Sequence, residues 1–400
     1  MGQLRSAGIL VILLCGMLPA AFVPAAAELQ FFAAGPEQIS SVGVLDIAQD
    51  PGGNIYFGTD NGLSFYDGTW HITHWSYGQR DTGLLSDHIL ALEYDSGGNL
   101  WIGYPNGLQR LESGSFVTFR DQQLLKSLDI HELVRRNREM WVAAGNAGVH
   151  RYVDGEWLWF QPGGPGGLGC NFVSTMATDP ATGTLFVACR EGIWSTDGDG
   201  PSPSFSRLVN PGLVPDPVKG IVGDPFGGVY ILNATSVVHV SPAGGWEITV
   251  TAADLMPGIM INDLRIDSGG TLWIATDNGI YAWKDGRETG HLDTTTGLRH
   301  NGVKRLFLDG SDRLWFVTPE NVGFYRIEKP RAEGGSIIPV TTFELPAMTP
   351  RDTSPAVPVS QITPDISVQG YPEETPAPQT GALTGLLDSI LAFFRGLFTR

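Results

Sequence analysis

Seven times along the chain, three apolar positions with an aromatic at the centre are followed in most cases by a small residue. The segments are Ile55-Tyr56-Phe57-Gly58, Leu100-Trp101-Ile102-Gly103, Met140-Trp141-Val142-Ala143, Leu185-Phe186-Val187-Ala188, Val229-Tyr230-Ile231-Leu232, Leu272-Trp273-Ile274-Ala275 and Leu314-Trp315-Phe316-Val317. The aromatic recurs in steps of 45, 40, 45, 44, 43 and 42 residues. Side chains alternate across a strand, so three apolar residues in a row predict a strand buried on both faces. A period of this length holds four short strands and their turns. The predicted fold is therefore all-β: a seven-bladed β-propeller of four-stranded antiparallel blades.

Polar positions fill the rest of each period with turns. An acidic turn precedes the aromatic strand, as in Asp50-Pro51-Gly52-Gly53, Asp95-Ser96-Gly97-Gly98, Asp267-Ser268-Gly269-Gly270 and Asp309-Gly310. A second turn follows it, as in Asp60-Asn61-Gly62, Asn106-Gly107 and Asp277-Asn278-Gly279, where Asn and Gly accept the positive φ of a tight hairpin. A third, such as Asp67-Gly68 or Asp285-Gly286, leads to the outer strand. Hairpin chemistry accounts for these acidic residues without calcium. A further signature opens the inner strand four times: Gly83-Leu84 to Ile89, Gly167-Leu168 to Val173, Gly212-Leu213 to Val218 and Gly297-Leu298 to Val303. Its Asp or Asn is placed to hold loop backbone.

The seventh repeat lacks an outer strand before Pro330, whereas Leu29-Gln30-Phe31-Phe32 stands ahead of the first repeat. That N-terminal segment is predicted to complete blade seven and remove the open edge, with Ile337 to Phe343 as the alternative. The propeller accordingly spans 28–330. Residues 1–27 read as a signal peptide, with Arg5, an apolar run from Gly8 to Leu18, and Ala25-Ala26-Ala27 before Glu28. Residues 331–380 form a Pro/Thr-rich spacer. In 381–400, Leu383, Leu386, Leu387, Ile390, Leu391, Phe394, Leu397 and Phe398 form one stripe, which predicts a short amphipathic helix. Too short to span a bilayer, it suits a membrane interface or self-association.

Composition agrees with this reading. Gly is 52 of 400 residues, Trp is 11, and charged residues are only 17%, as expected of a turn-rich β protein with a large core. The balance of 25 basic and 42 acidic side chains gives a net charge of −17, which excludes nucleic acid as a partner. Export leaves Cys170 and Cys189 free to oxidise. In a regular hairpin Cys189 faces Ser174, four residues from Cys170, and the spacing favours two buried thiols unless a loop folds back.

The Leu-Trp-Ile-Gly strand, the Asp-Asn-Gly-Leu or Asp-Asn-Gly-Ile turn and the Gly-Leu-x-x-Asn-x-Val opening resemble the two-component regulator propeller repeats. The resemblance covers about 29–330, and repeats three and five are degenerate. It implies an extracytoplasmic ligand-binding sensor domain, often for oligosaccharides, here with no room after Pro330 for the kinase.

No catalytic constellation stands out. The chain has no Gly-x-Ser-x-Gly elbow, His-Glu-x-x-His or P-loop. His71 and His74, three apart on a strand, point to opposite faces and do not make a metal pair. No cofactor is implied. Loops on a rigid scaffold carry binding residues. On the face holding the outer-to-inner crossings and the second-to-third hairpins, the candidates are Tyr77, Arg80, His88, Arg190, Arg299 and His300. They suit an anionic or heavily hydroxylated small molecule or oligosaccharide, with Tyr77 as a stacking face. The expected function is a non-catalytic, exported binding module at the cell surface. A structural or adhesive surface protein, which would bind another surface protein, and a propeller lyase or hydrolase-type enzyme are the alternatives. The single sequon, Asn233-Ala234-Thr235, lies in a second-to-third hairpin.

Overall fold

The structure, a computed structural model, describes residues 29–327 apart from 36, 75–82, 162, 165, 197–199, 201–202, 209–211 and 213–216. The segments expected to be a signal peptide, a spacer and a C-terminal helix lie outside the described residues. Seven four-stranded antiparallel sheets follow one another along the chain. Blade two shows the plan: inner strand Ala91–Tyr94, second strand Leu100–Tyr104, third strand Gly107–Glu112 and outer strand Ser115–Phe119. Every residue of its second strand is buried, while its outer strand is half-exposed.

The apolar-aromatic-apolar pattern has a simple cause. Each core lies between two adjacent blades, and the second strand contributes to two of them. Leu100 and Ile102 face blade one, and Trp101 faces blade three. Leu314 and Phe316 face blade six, and Trp315 faces blade one. The same division holds for Trp141, Phe186 and Trp273. Seven such shared cores make the ring a single packed object rather than seven separable units.

The ring closes as predicted. Leu29–Phe32 pairs antiparallel with Val322–Arg326, with Leu29 opposite Tyr325 and Phe32 opposite Val322. The alternative segment, Ile337 to Phe343, lies outside the described residues. The Phe32 ring sits 5.0 Å from that of Trp70 in blade one and 6.2 Å from that of Trp315 in blade seven, so it bridges the junction.

The acidic turns are hydrogen-bonded knots. Asp309 Oδ1 accepts from the backbone N–H groups of Ser311 and Arg313, at 2.8 and 3.0 Å, while Oδ2 accepts from Trp315 Nε1 at 2.8 Å. Asp95 and Asp267 hold Trp101 and Trp273 in the same way, at 2.9 and 3.0 Å. In the degenerate third repeat Glu139 takes over, accepting from Trp141 Nε1 at 2.9 Å and from the Arg151 guanidinium. The inner-strand signature is explained too. The carbonyls of Asp87, Asn171 and Asn301 accept the N–H of Gly62, Gly148 and Gly279 in the preceding blade, at 2.7, 2.8 and 2.6 Å. Gly62 has φ +107°, and a Cβ there would lie 2.7 Å from the Thr73 carbonyl, so the hairpin requires glycine.

The cysteines depart from expectation. A bulge between Val173 and Thr175 shifts the register, so Cys189 faces Val173 rather than Ser174. Outside the strand, the chain before Val173 folds back and brings the Cys170 and Cys189 Cα atoms to 6.2 Å. The two cysteines form a buried disulfide. His71 and His74 go to different acids, Asp67 at 3.1 Å and Asp87 at 3.5 Å. Asn233 is 3% exposed, and its Oδ1 accepts from the backbone N–H groups of Thr235 and Ser236 at 2.7 and 2.9 Å. The sequon asparagine thus serves the turn.

Candidate functional site

The seven inner strands surround a central channel, and their first residues line a cavity of about 270 Å³. Bulges shape it. In blades one, three, four and six the inner strand gains one residue between Val44 and Asp46, Ile130 and Glu132, Val173 and Thr175, and Ile261 and Asp263. A bulge re-aims side chains at a rim, and here it adds a position beside the channel: Leu45 in blade one and the polar His131, Ser174 and Asn262 in blades three, four and six.

The position after the bulged one forms a tier containing Asp46, Glu132, Thr175, Asp263 and Arg305. Its carboxylates reach across to the neighbouring blade. Asp46 Oδ2 accepts from Leu92 N–H, and Asp263 Oδ2 accepts from Leu306 N–H, both at 2.8 Å. Glu132 accepts from Met176 N–H at the equivalent place. The bulged position does the reverse and contacts carbonyls. Asn262 Nδ2 donates to Val303 C=O at 3.0 Å, and His131 Nε2 lies 2.8 Å from Val173 C=O. Lys219, which occupies the same level in blade five, donates to Ile261 C=O at 2.7 Å and Asn262 Oδ1 at 3.3 Å. The channel groups therefore tie adjacent blades together while facing the lumen.

Their electrostatics are strained. Asp263 pairs with Arg265 at 2.8 Å, whereas Asp46 and Arg305 stand 4.0 Å apart. Burial raises Asp46 above the usual carboxylate range, against the pull of Arg305. Burial pushes Glu132 up to about 8, helped by the negative charge of Asp46. Glu93, further along the channel, is pushed up to about 7, again mainly by burial. Partial desolvation by its neighbours lowers the Lys219 ammonium, although the residue is exposed. Each shift disfavours the charged form, as expected where water is scarce and counter-charges are incomplete.

The loop candidates scatter around this centre. Tyr77 and Arg80 lie outside the described residues. His88 and Arg190 are exposed, His88 in the crossing into blade two and Arg190 in the second-to-third hairpin of blade four. Arg299 stacks its guanidinium 4.7 Å from the centre of the Phe31 ring, which ties it to the closing strand. His300 Nδ1 accepts the Gly302 N–H at 2.8 Å and holds its own loop. No hydrogen bond or ion pair joins these four to one another among the described residues. A different aromatic adjoins the cavity lining: Phe172, 56% exposed, its ring 5.7 Å from that of His131 and nearly parallel to it.

Sequence reasoning missed the channel residues. The signal was present, because Asp46, Glu93, Glu132, Asp263, Arg265 and Arg305 interrupt inner strands whose neighbours are apolar. Reading it required knowing that the inner strands converge on one axis.

Comparison with solved structures agrees with the fold. The extracellular domain of BT4673 from B. thetaiotaomicron, described as a one component or hybrid two component system, matches at a TM-score of 0.58 and 19% identity, over 75% of this chain and 40% of that one. The likeness is one of fold. The extracellular domain of the hybrid two component system BT3049 from the same organism gives the same score and identity, over 70% of this chain and 39% of that one. This chain thus spans about two fifths of those domains. Virginiamycin B lyase from Staphylococcus aureus matches at 0.58 and 13% identity, over 75% of this chain and 99% of that one. No protein-family model and no curated protein matches the sequence.

Proposed function

We propose that the protein is an exported, non-catalytic propeller module that binds a small polar ligand at the central channel mouth. On this reading it is a sensor-type domain of the kind the repeat motifs resemble. The observation that carries it is the cavity itself. Ligand sites combine a preformed concavity with a few convergent polar groups and titratable residues displaced from their ordinary pKa. The channel mouth has all three, with Phe172 beside it as an exposed aromatic platform. The exposed His88 and Arg190, on crossing and hairpin loops, would guide or retain a hydroxylated or anionic ligand, with Arg299 and His300 supporting the loops around it. The C-terminal helix would hold the propeller at the cell surface on its Pro/Thr-rich spacer.

Fold likeness to the sensor domains adds to this reading only at the level of architecture. The mature chain, screened against oligosaccharides and small metabolites by melting temperature and calorimetry, is expected to bind at least one of them. Binding should be lost when Phe172→Ala and Thr175→Trp are introduced to remove the platform and fill the cavity. A chain that binds no member of either panel would refute the module and favour surface assembly. Turnover of a bound ligand would make the protein an enzyme.

A further inference from the structure

The charges of the cavity do not cancel locally, and the remainder has a definite chemistry. Its lining carries three carboxylates, Asp46, Glu132 and Asp263, and three strong cations, Lys219, Arg265 and Arg305. One close ion pair is made within it, Asp263 with Arg265, and Asp46 has Arg305 as its counter-charge at 4.0 Å. Glu132 and Lys219 are left over. Among the described residues neither forms an ion pair. Glu132 has a backbone N–H to accept from, and Lys219 is held only by two neutral oxygens. They stand on blades three and five, and blade four contributes Ser174 and Thr175 to the lining between them.

We propose that the cavity is a site for a small zwitterion of the amino-acid class, its ammonium toward Glu132 and its carboxylate toward Lys219. This rests on the reading of the cavity as the ligand site and names what that site takes. The argument is one of desolvation. Lys219 is exposed and Glu132 half-buried, so a ligand that covers them strips their water, and one that does so without pairing their charge gains little. A simple cation would meet Glu132 but be repelled by Lys219 and the two arginines. A simple anion would meet Lys219 but face three carboxylates. A neutral sugar would displace water from both groups and supply a counter-charge to neither. A zwitterion supplies both missing partners at once. The Ser174 hydroxyl donates to the Ala188 carbonyl at 3.1 Å, so its lone pairs remain available to the ligand's ammonium. A cavity of about 270 Å³ falls just below the usual range for drug-sized ligands, roughly 300 to 1,000 Å³. It admits a free amino acid and excludes an oligosaccharide from full insertion. Burial keeps Glu132 largely protonated at neutral pH when the site is empty, so an arriving ammonium would displace a proton.

The test uses the mature chain and a panel of the common L-amino acids with glycine betaine, followed by calorimetry and melting temperature. At least one zwitterion should bind with a Kd of about 1 mM or better, equivalent to about 4 kcal/mol. Its deaminated acid and its decarboxylated amine should each bind at least tenfold more weakly. Glu132→Gln should weaken the zwitterion about tenfold and leave the deaminated acid unaffected, while Lys219→Met should weaken the zwitterion and spare the amine. Binding in two buffers of different ionisation enthalpy should show proton release for the wild type and none for Glu132→Gln. The single-charge analogues are compared on unaltered protein, so the test survives a variant that does not fold. An analogue binding as tightly as the zwitterion would overturn the inference. So would a neutral oligosaccharide occupying the cavity, which would leave the binding module intact. Failure of every ligand would overturn both.

Discussion

Removing residues 28–34 should destabilise the whole propeller, although the segment is only a few residues of a domain of about 300. The deletion bares the Val322–Arg326 edge of blade seven, where Val322 and Phe324 are at most 2% exposed. It also takes Phe31 from the core between blades six and seven and Phe32 from the core between blades seven and one. A fully buried Phe contributes about 1.5–3 kcal/mol through area removed from water. Both rings are half-buried, so about 3 kcal/mol together is a fair figure, with about 1 kcal/mol or more from the strand pairing. At about 2–4 °C per kcal/mol for a large domain, melting should fall by about 8–16 °C. Differential scanning calorimetry and urea titration of the mature and shortened chains would measure this. Because every blade shares its cores with two neighbours, the transition should stay cooperative and shift as a whole. A shortened chain with an unchanged midpoint, or one that loses only a small early transition, would refute closure by the N-terminal strand.

Other consequences follow from the same packing. Gly62→Ala should cost about 1–3 kcal/mol in urea unfolding, since it combines positive φ with a Cβ 2.7 Å from the Thr73 carbonyl. Asp309→Ala should cost about 2–4 kcal/mol by the same measurement, because it strands the N–H of the fully buried Trp315 and two turn amides. Reduction of the Cys170–Cys189 disulfide, or Cys189→Ser, should cost about 3 kcal/mol for a loop of this length and lower the melting temperature. Glu93 and Glu132 hold protons in the folded state that the unfolded chain releases near the ordinary glutamate pKa. Their contribution is present below about pH 4.5 and is lost as pH rises through about 7 and 8, at up to about 1.4 kcal/mol per pH unit for each. Glu132→Gln should flatten that slope in a series of melts from pH 5 to 9. His150 acts in the opposite sense: burial lowers it to about 4, so stability falls as pH drops below about 6.5.

The architecture was legible because each inter-blade core imposes the same demand seven times. A strand that serves two cores must be apolar at three successive positions, and the repeat of that demand counts the blades. The turns were legible for a related reason: Asp95, Asp267 and Asp309 each satisfy turn amides and one indole, so aspartate and tryptophan travel together at a fixed spacing of six. Repeat three looked degenerate because Glu139 performs this task from the other side of the turn. The disulfide was misread because neither the extra residue at Ser174 nor the fold-back of the chain before Val173 is visible in a sequence aligned by its turns. That one bulge moves Cys189 by one register position.

The site was the least legible part. Loop residues such as Arg299 and His300 carry suggestive chemistry, yet the former packs on Phe31 and the latter supports its own backbone. The channel residues come from seven strands dispersed over about 260 positions, and no local pattern unites them. Their meaning is geometric: an inner-strand side chain at the axis meets the lumen, whereas one turned toward a neighbouring blade meets an apolar core.

The most direct measurement is a crystal structure of the mature chain grown with whichever ligand raises its melting temperature most. The account predicts the ligand in the central channel, within hydrogen-bond distance of Glu132 and Lys219 and between blades three and five. A ligand seated instead in a lateral groove between blades or on the loop tips alone, with the channel filled by water, would contradict it.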